Sequence, residues 1–124
     1  MPFNQAVVWL DHKEAHVLHF DSDAAEAETL KAHPRFPQVH SRKGESQPEI
    51  DRQYFDELAA MLDDTEEVLV SGPAQEKLVF VKYLEEQHPA IAAKVVAVEA
   101  ADHPSDGQLL SHARKYFVKT NTLR

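Results

Sequence analysis

Carboxylates and histidines are the side chains of this chain with the widest chemical reach. Divalent-metal phosphodiester cleavage needs several carboxylates converging on paired ions, one of them on the first strand. Asp11 ends the first strand-like run, Ala6-Val7-Val8-Trp9-Leu10, and is the weak metal candidate. Glu99 and Asp102 stand near the end of a later strand, but the intervening strand ends in Ser71-Gly72 and brings no acid. The set is incomplete, so Asp11 reads as a turn residue and neither a resident metal nor another cofactor is expected. Eight histidines raise metal ligation again. His16 and His19 fall on opposite faces of one strand and cannot chelate together. His12, His33, His40, His88, His103 and His112 are scattered, mostly at turns. Ser71 to Lys77 forms a strand–turn–helix with a lysine one turn in, but it lacks the glycine spacing of a P-loop. Pro73 also stands where a donor N–H would help, which favours a structural turn. The chain has no cysteine, hence no disulfide, thiolate zinc site or thiol nucleophile. No residue is assigned a catalytic role, and an enzyme is the less favoured reading.

Charge is the second source of chemistry. The formal net charge is −8, which opposes non-specific nucleic-acid binding over the whole surface. Its placement is uneven. His33 to Lys43 carries Arg35, Arg42 and Lys43 beside His40 and no acid, and His112 to Arg124 carries Arg114, Lys115, Lys119 and Arg124 and no acid. Glu49 to Glu67 holds eight acids against Arg52 alone. Solvated faces on an acidic protein are one account. The sharper one brings the two basic segments together as a phosphate-facing patch of Arg35, His40, Arg42, Lys43, Arg114 and Lys115.

The elements that must position these groups follow from patterning. The run Ala6 to Leu10 is apolar throughout, as in a strand buried on both faces. Asp11-His12-Lys13-Glu14 is a hairpin turn, and Ala15 to Phe20 alternates. A third strand is predicted within Glu26 to His33, and residues 34–49, with Pro34, Pro37, Gly44 and Pro48, form an exposed loop. Helical spacing of Ile50, Tyr54, Leu58, Met61 and Leu62, through Asp63, precedes a buried strand, Glu67 to Ser71. Pro73 suits the first position of the next helix, marked by Leu78, Val81, Tyr83 and Leu84 and stopping before His88-Pro89. Lys94 to Glu99 is the fifth strand. Ser105 and Gln108 make an S-x-x-Q capping box for a last helix packing Leu109, Leu110, Ala113 and Phe117, with residues 118–124 as a loose tail.

At 124 residues, with 43% hydrophobic and 27% charged residues, this is a single domain over 1–124. Three strands followed by helix, strand, helix, strand, helix predict an α/β, RNase H-like fold. Its mixed five-stranded sheet has an antiparallel meander extended by parallel strands. The first ten residues carry no basic residue, and no apolar run approaches the ~20 residues of a membrane span, so a cytoplasmic protein with no membrane partner is expected.

Several stretches resemble the central domain of the eukaryotic and archaeal class-1 peptide-chain release factors and of Pelota, their ribosome-rescue relative. They are Ala6 to Asp11 with Glu14-Ala15, Val70 to Pro73 with Lys77 and Phe80, and Val95 to Val98. The segments Ala101 to Gln108 and Ala113 to Phe117 are similar to those of small bacterial translational machinery proteins. The resemblance spans about residues 5–117 and implies the same RNase H-like fold. It also implies a loop that in release factors presents Gly-Gly-Gln to the peptidyl-tRNA ester. Here that stretch is His40 to Gln47, with one glycine, an acid beside it and a displaced glutamine, so ester hydrolysis does not carry over. Pelota also lacks the tripeptide. The leading expectation is therefore a non-catalytic, translation-associated protein contacting ribosomal or transfer RNA. The competing expectations are a homodimeric or hetero-protein adaptor with no RNA role, and a divalent-metal nuclease.

Overall fold

The computed structural model describes residues 3–32 and 52–119. Strands β1 (Gln5–Leu10), β2 (Glu14–Phe20), β3 (Ala25–Lys31), β4 (Glu67–Gly72) and β5 (Val95–Ala100) form one sheet in the order β3-β2-β1-β4-β5. Helices α1 (Arg52–Met61), α2 (Glu76–Gln87), α3 (Pro89–Ala92) and α4 (Asp106–Lys119) cover its two faces. β1–β2 and β2–β3 are antiparallel, and β1–β4 and β4–β5 are parallel. This is the mixed RNase H-like α/β sheet that the element order predicts.

The uniformly apolar β1 is the central strand, and all six of its residues are buried. Alternation divides its side chains between two cores. Val8 and Val70 share one face with Tyr54, Phe55, Leu58 and Phe80 of α1 and α2. Val7, Leu18 and Phe20 share the other with Leu109, Ala113 and Phe117 of α4. β4 runs so close to β1 that a Cβ on Gly72 would lie 2.3 Å from the Leu10 carbonyl oxygen, a backbone atom with no freedom to yield.

Several boundaries differ from expectation, each for a physical reason. β3 occupies Ala25–Lys31 and is an almost wholly exposed edge strand, whose Glu26, Glu28 and Lys31 suit a strand with one side facing solvent. Pro73 is not the first helical residue. Gly72 still pairs with Ala100, so the chain needs residues 73–75 to leave the sheet before α2 starts at Glu76. In α2 the packing face is Phe80, Tyr83 and Leu84, while Leu78 is exposed. The single turn α3 follows His88 with Pro89 at its start and was not anticipated. β5 begins at Val95 and carries a register shift where it meets Val68 and Leu69. α4 continues through Lys119, two residues into the expected tail, and its terminal lysine complements the negative end of the helix dipole. The predicted loop 34–49 and residues 120–124 lie outside the described residues.

Candidate functional site

The hairpin after β1 fixes the role of Asp11. Its Oδ1 accepts the backbone N–H groups of Lys13 and Glu14 at 2.8 and 2.9 Å, and its own carbonyl accepts the Tyr54 hydroxyl at 2.9 Å. Oδ2 lies 3.7 Å from His103 Nε2. An oxygen already holding two N–H donors is poorly placed to ligate a cation, and among the described residues no three histidines or acids gather as a metal-binding set. Lys77, the lysine of the Ser71–Lys77 turn, is buried and donates back to the Ala74 carbonyl, so it is not turned toward a ligand. His16 and His19 do face opposite ways: His19 donates to the Met61 carbonyl beneath α1, whereas His16 meets Trp9 on the α4 side.

Of the basic candidates, Arg114 and Lys115 lie side by side on α4. The Arg114 guanidinium donates to the Asp21 and Ala24 carbonyls at 2.9 and 3.1 Å, clamping the β2–β3 turn, while Lys115 is exposed. Arg35, His40, Arg42 and Lys43 lie outside the described residues.

The loop leading into α4 is also held. The Trp9 indole N–H donates to the carbonyls of Ala101 and Asp102 at 3.2 and 2.9 Å, and the Trp9 ring contacts those of His16 and His103. His16 Nε2 bonds Glu14 at 2.9 Å, and its buried Nδ1 lies 3.2 Å from Asp106 Oδ1 without hydrogen-bond alignment. The His16 hydrogen bond, reinforced by Lys31, holds the Glu14 carboxyl at about 2.

Held through Arg114 and through the loop that precedes it, α4 packs over β1 and β2, takes Leu69 of β4 into its core, and leaves the same face of β5, at Ala97 and Glu99, half-covered beside it. A cavity of about 630 Å³ runs along this flank, bordered by Lys115, Tyr116 and Lys119. A second, of about 320 Å³, continues toward the carboxyl ends of β4 and β5 among Ser71, Ala101, Pro104 and Leu109. Glu99 and His112 line both cavities and are bonded at 2.6 Å. Ser71 pairs with Glu99 across the sheet, so the two share this face. Carboxyl ends of parallel strands are where open α/β sheets collect ligands. In sequence Glu99 reads only as a metal candidate and His112 as a scattered histidine at the start of an acid-free segment; their spacing of 13 residues spans a loop and carries no periodic signal.

No protein-family model matches the chain, and no curated protein matches it. Solved structures do. Archaeoglobus fulgidus Pelota superposes with a TM-score of 0.68 at 18% identity, over 95% of this chain and 32% of its own. The fold is one that Pelota contains. The archaeal translation termination factor aRF1 gives 0.57 at 11% identity, over 94% of this chain and 38% of its own. Archaeal Pelota in a ribosome-bound assembly with ABCE1 gives 0.60 at 16% identity, over 94% and 33%. The chain thus spans about a third of the length of these proteins, and at such identities the likeness establishes the fold.

Proposed function

We propose that this protein is a non-catalytic, translation-associated module that contacts ribosomal or transfer RNA. The observation that carries the reading is the shared fold, over nearly the whole chain, with Pelota, including a Pelota described as ribosome-bound. The contact is made by the acid-free segment containing Arg35, His40, Arg42 and Lys43, with Lys115 as an exposed cation on α4. Arg114 serves the β2–β3 turn first, through its two carbonyl bonds. Absence of Gly-Gly-Gln from His40 to Gln47 makes ester hydrolysis no part of the role. Kinship with the small bacterial translational machinery proteins and a cytoplasmic location belong to the same reading.

The test is co-sedimentation of the purified protein with ribosomes across a salt series. Phosphate contacts release counterions, so binding should weaken steeply as salt rises. The double variant Arg42→Glu, Lys43→Glu should abolish it, and unchanged sedimentation of that variant would refute the assignment. A homodimeric or adaptor role is the second reading, favoured by the net charge of −8 and by the 42% exposure of Val96 on the β5 edge. Light scattering that reports a stable dimer, with no ribosome binding at low salt, would select it.

A further inference from the structure

Beside α4 the two cavities make one groove whose chemistry changes along its length. The inner part, about 320 Å³, has apolar walls at Ala101, Pro104 and Leu109 and one buried hydroxyl, that of Ser71. At the junction Glu99 receives His112 through Oε1 alone, and only about a third of its side chain is exposed. The outer part carries Lys115 and Lys119, four residues apart on one side of the helix, with Tyr116 beside them. Neither lysine has an ion-pair partner among the described residues. An apolar slot, a carboxylate acceptor and a pair of cations therefore follow one another, and from His112 to Lys119 the helix advances ~10 Å.

We propose that this groove binds a ribonucleoside phosphate. The base enters the inner slot beneath Pro104 and Leu109, the ribose hydroxyls donate to the second oxygen of Glu99, and the phosphates meet Lys115 and Lys119. Carboxylates accept and cannot donate, so Glu99 matches the hydroxyl-bearing ribose and repels a phosphate placed there. The fixed order of acceptor and cations sets the direction in which the nucleotide lies. Two sources offer this chemistry, a free nucleotide and the terminal nucleotide of an RNA strand. The inference is independent of the His33–Lys43 segment.

Isothermal titration calorimetry of the full chain with adenosine and guanosine diphosphates tests it. Saturable one-site binding is expected, weakened at least about tenfold in Lys115→Glu, Lys119→Glu, and several-fold both in Glu99→Ala and for the 2′-deoxy diphosphates. The substituted side chains are exposed or half-buried, and unchanged melting temperatures verify that the variants fold. The Arg42→Glu, Lys43→Glu chain should bind the nucleotide as the parent does, which separates this site from the His33–Lys43 part of the ribosome contact. Competition by a short purine-ended RNA identifies the strand end as the source, and lack of competition identifies the free nucleotide. No binding at about 1 mM ligand, inorganic diphosphate binding as tightly as the nucleotide, or equal affinity in the lysine variant would overturn the proposal.

Discussion

Glu14 accepts two hydrogen bonds at once, from Lys31 on Oε1 and from His16 on Oε2, each at 2.9 Å. Its carboxyl is drawn from an ordinary 4.5 to about 2, first by the His16 hydrogen bond and then by Lys31. Because the folded value lies below the unfolded one, ionised Glu14 contributes its full stability above pH 4.5 and loses it as pH falls toward 2. Glu14→Gln should therefore flatten the fall in urea midpoint between those limits and lower the midpoint at neutral pH. Partial exposure limits the effect to about 1 kcal/mol or less. An acid dependence identical to the parent's would show that the pair adds nothing. At this scale the sequence was informative wherever one local rule sufficed. The opposition of His16 and His19 needs only the two-residue period of a strand, and Asp11 in a turn needs only its neighbours. The Glu99–His112 bond depends on how far α4 folds back along β5, which no local rule supplies.

Elements closed by local hydrogen bonds were equally legible. The Ser105 Oγ accepts the Gln108 N–H at 3.1 Å, and the Gln108 side chain accepts the Ser105 N–H at 2.9 Å, so the capping box forms as read. Ser105→Ala should cost about 1 kcal/mol, seen as a lower melting temperature, and Ser105→Asp should restore most of it. A silent Ser105→Ala would mean that Trp9 and Arg114 alone fix the start and flank of α4. β3 was harder to place because Ala-Glu-Ala-Glu has little strand preference of its own. It is extended because it pairs with β2 along its full length. The start of α2 was misjudged for a related reason, since the reach of the β4–β5 pairing through Gly72 decides how many residues the turn consumes.

For the molecule as a whole, element order was enough to specify the sheet, because a crossover between parallel neighbours has one hand and strands in a meander pair in sequence. The groove was not legible, since it exists only because α4 lies over β1 and β2 and not over β5. The two faces of the sheet are also unequal. Among the described residues sixteen buried side chains form the α1–α2 core and eight form the α4 core. Native-state hydrogen exchange should accordingly show α4 amides opening at lower free energy than those of β1 and β4, and uniform protection would mean a single cooperative unit. The long reach of the α4 contacts has a further consequence, for biosynthesis. Trp9 meets Asp102, and Arg114 meets Asp21, each across 93 residues of chain. While α4 is still being translated, Val7, Leu18 and Phe20 have no cover on their own face, although α1 and α2 can already have closed the other. The nascent chain thus displays an apolar sheet surface until the residues through Phe117 have left the ribosome, and that surface is where chaperone demand during its synthesis should concentrate.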